Sequence, residues 1–252
     1  MNNHYRPKHS ILLMLPFVMQ FFFISCDDAG RPDDNGYSEN MDIPWVHEGI
    51  TELRRGDILI RANSNFLPGS APVEDGWDHG HAAIVTKGSF GLVADSLLAK
   101  SFIFESNSRD FPREYQLRET RGYDVNSNPF LRNESFSPRY EGARYRLRLN
   151  LPEEQIESII EFIIGQRGSY SSWNAMKRYP GNPEIEQMVQ EGLRENWADN
   201  THWYCSLIIW QAVLYVTGID LDPTGGYYVY PNDLVASKHF DNTESHRGRA
   251  RF

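Results

Sequence analysis

Cysteine is nearly absent: 252 residues contain two, Cys26 and Cys205. At most one disulfide is available, so the fold must be held by its core and not by a framework of bridges. No Cys-x-x-Cys or His-Glu-x-x-His spacing occurs, which removes the usual sequence signs of a zinc site. The Gly-x-Ser-x-Gly elbow, the P-loop and the dinucleotide fingerprint are missing too, and with them the signatures of serine-hydrolase and nucleotide chemistry. Positive charge is in deficit, with 25 Lys and Arg against 34 Asp and Glu, a net −9. That balance disfavours nucleic acid and anionic headgroups as non-specific partners. The one long apolar stretch, from Ile11 to Ile24, is broken by Pro16 and Gln20 and falls short of the roughly 20 residues that span a bilayer. No internal repeat is present.

What remains is ordinary globular composition, 40% hydrophobic and 13% aromatic, enough for a single core. Arg6 and Lys8 before the short apolar stretch read as a secretory signal over residues 1–25. Phe23-Ile24-Ser25-Cys26 resembles a relaxed bacterial lipobox, which makes Cys26 the lipidated first residue of a mature lipoprotein. The alternative is an uncleaved anchor with an incidental cysteine. Residues 26–45, rich in Asp, Asn, Gly and Pro, read as a flexible tether, residues 46–240 as the domain, and residues 241–252 as a polar, frayed tail. If Cys26 carries lipid, Cys205 has no intrachain partner in an oxidising compartment. It is then either inertly buried or useful.

Periodicity predicts strands at Gly56-Asp57-Ile58-Leu59-Ile60, from Trp77 to Thr86, and from Ser101 to Ser106. A fourth, from Gly142 to Leu149, alternates apolar residues with Arg144, Arg146 and Arg148, which reads as a half-exposed strand with a basic outer face. The long Arg- and Pro-containing stretch from Asn107 to Glu141 is expected to be a loop, and could cover a cleft. A helix begins at Pro152, with Ile156, Ile159, Ile160, Ile163 and Ile164 on one face. Asn182-Pro183 caps a second, whose apolar side runs through Ile185, Met188, Val189, Leu193 and Trp197. The third starts at Cys205, is apolar on most faces, and stops at Gly218.

A thiol in the first turn of a buried helix lies where backbone N–H groups and the helix dipole favour the thiolate. An isolated cysteine before an apolar run is also a common small core residue. Nucleophilic chemistry needs a base in reach and a group that orients it. Of the eight histidines, His79, His81 and His202 are placed for this, and His81, at the start of the apolar part of a strand, is the preferred base. Glu105, at the end of an aromatic and β-branched strand, is either solvated or aimed at a partner. Asp78, His79, His81, His202 and Cys205 could in principle hold zinc, but a lone His-x-His is weak support. The reading is no metal and no cofactor.

In this order, Gly56-Asp57-Ile-Leu-Ile, His81-Ala-Ala-Ile-Val, Glu105, Tyr204-Cys205-Ser206 and Pro231-Asn232-Asp233-Leu234, the chain resembles the YiiX/YebB-like branch of the NlpC-type papain-like hydrolases. That branch is circularly permuted and similar to the lecithin:retinol acyltransferase group. The resemblance implies an α+β, circularly permuted papain-like fold, an antiparallel sheet packed against a buried nucleophile helix. It implies Cys205 as nucleophile, His81 as general base, Glu105 as its orienting group, and Tyr204 as part of the substrate or oxyanion site. The activity expected is hydrolysis of an amide or ester through an acyl-enzyme on Cys205, on a peptide or lipid-modified substrate at the bacterial envelope, with the membrane as partner through the lipid anchor. The alternatives are a non-catalytic lipid- or peptide-binding lipoprotein and an acyltransferase using the same site.

Overall fold

The strands at the centre of this chain carry runs of consecutive apolar residues because both of their faces are covered. In a computed structural model of the chain, residues 45–62, 79–107, 111–138, 140, 143–172, 174–223 and 225–252 are described. The expected signal, Cys26, nearly all of the tether, and Asp78 lie outside them. The chain order begins with β1 (Val46–Glu48), β2 (Glu52–Leu53), β3 (Ile58–Ala62), β4 (His79–Lys87), β5 (Ser89–Phe90) and α1 (Ala94–Lys100). It continues with β6 (Phe102–Ser106), β7 (Leu117–Arg121), β8 (Tyr145–Arg148), α2 (Glu153–Gly165), β9 (Tyr170–Ser171) and α3 (Pro183–Gln190). β10 (His202–Trp203), α4 (Cys205–Thr217), α5 (Pro231–Ala236) and β11 (Gly248–Arg251) complete it.

Seven strands form one sheet in the order β1-β11-β8-β3-β4-β6-β7. Every neighbouring pair is antiparallel except β1 and β11. The molecule is thus α+β with a mostly antiparallel sheet. Period-two alternation divides the core. Ile58, Ile60, Ala82, Ile84, Phe104 and Leu147 face α2 and α4, while Leu59, Ala83, Val85 and Ile103 face Leu97 and Leu98 of α1 and Phe136. α4 is buried from Cys205 through Val213, as its all-round apolar sequence requires. It ends at Gly218, which adopts φ 72°; a Cβ there would touch nothing, so the position needs glycine for its left-handed backbone and not for space.

Four expectations are corrected. Arg146 and Arg148 are buried and do not form a solvated basic face. Arg148 makes a bidentate contact with the buried Asp57, at 2.6 and 2.7 Å, and Arg146 donates to the carbonyls of Ser245 and His246. Residues 241–252 are not frayed: β11 enters the sheet between β1 and β8, and the buried Arg249 donates to the carbonyls of Val235 and Ser237. The stretch between β6 and β8 is not all loop, since it contains a 3-10 turn (Arg113–Tyr115) and β7, which pairs with β6 along its length. Finally, α3 stops at Gln190, well short of Trp197. Gly192 at φ 73° lets its N–H reach Val189 and that of Leu193 reach Met188, a Schellman ending.

Candidate active site

Asn182 caps α3 as its sequence predicts, accepting from the Glu184 and Ile185 N–H groups, whereas α4 has no side-chain cap. Its N-cap is Tyr204, in extended conformation, with no side-chain hydrogen bond to the first turn. The N–H groups of that turn, beginning with Cys205, have no acceptor earlier in the helix. Tyr204 is fixed from elsewhere: its hydroxyl accepts from the Val229 N–H at 3.0 Å, and Ser206 Oγ donates to the Val229 carbonyl at 2.7 Å. The residues on either side of Cys205 thereby clamp both backbone groups of one residue, Val229, in the segment leading into α5.

His81 stands on β4 opposite Arg61, at the last regular rung before the register shifts between Arg61 and Ala62. Its Nε2 lies 2.9 Å from Glu105 Oε2, and a second hydrogen bond joins the imidazole to Cys205. With Nε2 taken by the carboxylate, Nδ1 is the nitrogen that faces the thiol. Glu105 comes from the neighbouring β6, and its other oxygen accepts from Arg118 Nε and Nη2 at 3.0 and 2.8 Å. Arg118, on β7, also donates to the carbonyls of Phe130 and Arg132 and lies 3.9 Å over the Phe111 ring. Beside Glu105, the Ser106 hydroxyl donates to the Trp203 carbonyl, joining β6 to the entry of α4. Phe136 packs against the imidazole with ring centroids 5.7 Å apart.

The four side chains form a line of alternating charge, Arg118, Glu105, His81, Cys205. Burial works against each charge, and the neighbours overcome it. Against its burial, Glu105 is drawn down to about 2 by the Arg118 charge and the His81 hydrogen bond. Burial likewise opposes the imidazolium, but its hydrogen bonds to Cys205 and Glu105 raise His81 to about 9. A protonated imidazole beside Cys205 is the state this arrangement favours near neutral pH.

Cys205, His81 and Glu105 are therefore brought together, and Tyr204 adjoins them with its hydroxyl turned to Val229. His202 is elsewhere, stacked on Tyr170 with ring centroids 5.3 Å apart, and His79 opens β4. Arg118 and Phe136 were not anticipated. Both lie in the stretch expected to be loop, and Leu117-Arg118-Glu119-Thr120-Arg121 carries too little apolar alternation to mark a strand. Among the described residues no group of three or more His, Cys, Asp or Glu could hold a metal. A cleft of about 580 Å³, lined by Ile58, Ile84, Ile156 and Val213 among others, lies away from this line of side chains and includes none of them. Cys205, His81 and Glu105 are each 1–2% exposed, so the site is closed in this conformation. Neither a scan against protein-family models nor a search of curated proteins found a match to this chain.

Proposed function

We propose that this chain is an envelope-anchored cysteine hydrolase of circularly permuted papain-like fold, cleaving an amide or ester through an acyl-enzyme on Cys205. The observation that carries the reading is the buried hydrogen-bonded line from Arg118 through Glu105 and His81 to Cys205 at the first turn of α4. The thiolate attacks the carbonyl carbon, and the first-turn N–H groups of α4 receive the oxyanion. His81 Nδ1 gives its proton to the leaving amine or alcohol as that bond breaks, which leaves a thioester and a neutral imidazole. The imidazole then takes a proton from water, the hydroxide attacks the thioester, and the acid departs as thiolate and imidazolium are restored. Glu105 orients the ring throughout, and Tyr204 shapes the site through its grip on Val229.

An iodoacetamide-type activity probe tests the pair. Labelling is expected to vanish in Cys205→Ala and to slow by at least ~100-fold in His81→Ala; equal labelling of wild type and His81→Ala would count decisively against activation. The near-complete burial of all three side chains favours a second reading, a binding lipoprotein in which they are structural. In that case Cys205→Ala leaves biological function intact, and no adduct forms on Cys205 in envelope extract. Transfer to an added amine or alcohol in place of water would identify an acyltransferase.

A further inference from the structure

We propose that the end of the sheet opposite Cys205 is a membrane-docking face, with Phe90, Leu92 and Val93 inserting into the bilayer interface; the proposal builds on the envelope-anchored reading above. Val46, Arg249, Leu147, Ile58 and Ile84 form one continuous rung across five strands. His81 lies three residues to one side of that rung on β4. Lys87 lies three residues to the other side, where β4 turns into β5. Six residues of strand separate His81 from this turn by about 20 Å.

The turn carries Phe90-Gly91-Leu92-Val93 before α1, and its three apolar side chains are 75%, 91% and 61% exposed. A tip of this kind, with three large apolar residues in four, marks a contact surface, unlike the singly scattered apolar residues of an ordinary exterior. The identity of the partner follows from where the chain enters. Trp45, 56% exposed, directly precedes β1, one residue outside the same rung on the side of the tip. The described chain therefore begins, at Trp45, at the end of the sheet that bears the tip. With Cys26 lipidated, the expected flexible tether, of roughly 25 Å root-mean-square span, does not fix the domain's orientation, but it joins the domain at this end and leaves the tip nearer the bilayer than the His81 end. The cleft of about 580 Å³ lies beside the tip, with Phe90 on its lining, Ile58, Ile84 and Ile156 on an apolar wall and Arg54, Arg55, Glu153 and Arg247 on a polar one. The net charge of −9 gives no general attraction to anionic lipid, so contact rests on apolar insertion and persists at high salt.

Hydrogen–deuterium exchange on the full chain, with and without phosphatidylethanolamine–phosphatidylglycerol vesicles, tests this, alongside intact mass for acylation of Cys26. Vesicles are expected to slow exchange across residues 88–93 at low and high salt, with the Phe104–Ser106 strand end unchanged. In the non-acylated Cys26→Ser chain the protection persists at higher lipid concentration, and Phe90→Glu with Leu92→Glu weakens it by roughly tenfold per side chain. Both side chains are exposed, and an unchanged melting temperature shows that the double variant folds. An acylated chain that floats with vesicles while residues 88–93 exchange as in solution overturns the docking face and leaves the anchor standing. A chain never acylated at Cys26 but protected at 88–93 overturns the anchor and keeps the face. Protection that appears without lipid and grows with protein concentration overturns the proposal in favour of self-association.

Discussion

His81 and Glu105 are dependent groups: each takes its charge state from what it touches. Removing the thiolate removes one of the two contacts that raise His81 to about 9. In Cys205→Ser the imidazole is expected to titrate below that value, toward its ordinary range, in an NMR titration; an unchanged pKa would show that the thiol and imidazole are uncoupled. Arg118 has the largest opposing effect on burial at Glu105. Arg118→Met takes from the buried Glu105 carboxylate the larger of its two positive neighbours, leaving His81, and is expected to destabilise the fold by about 3 kcal/mol in denaturant unfolding. Tyr204→Phe deprives the buried Val229 N–H of its acceptor and is expected to cost about 1–2 kcal/mol. Cys205, His81 and Glu105 were legible because each breaks a local rule, a thiol at a helix start or a polar group within an apolar strand. Arg118 breaks none and is visible only once β7 is paired with β6.

At the level of elements, the sequence was readable wherever a local signal decides the outcome. Asn182-Pro183 starts α3 and Gly218 stops α4 through backbone chemistry confined to a few residues. Arg146 and Arg148 were misread because their partners are remote: Asp57 is 91 residues from Arg148 in sequence, and no periodicity can announce it. The same blindness hid β11, whose Gly-Arg-Ala-Arg sequence looks solvated until Arg249 is seen among carbonyls. The Arg148–Asp57 pair is 8% and 0% exposed at its side chains, so breaking it from one side strands a charge. Arg148→Met is expected to destabilise by about 3 kcal/mol, and Arg148→Met with Asp57→Asn to recover much of that loss. Chemical denaturation of the three proteins checks it, and additive losses would mean that the two residues act separately.

For the molecule as a whole, the two shifted groups set a pH window. Glu105, drawn down to about 2 from 4.5, contributes stability that is fully present above 4.5 and is lost as pH falls through about 2. His81, raised to about 9 from 6.5, contributes stability that is fully present below 6.5 and is lost as pH rises through about 9. Thermal unfolding against pH is expected to show both contributions intact between 4.5 and 6.5, and His81→Phe to flatten the alkaline fall. The sheet that carries these groups also binds the two extremes of the described chain to each other. β1 pairs in parallel with β11, and Arg251 reaches Glu48 across 203 residues. In time, this means that the first strand made is among the last to find its place. While the chain is still being synthesised, β1 has no neighbour, and β8 lacks the partner that covers its far side. Completion of this side of the sheet therefore waits until residues 248–251 have emerged.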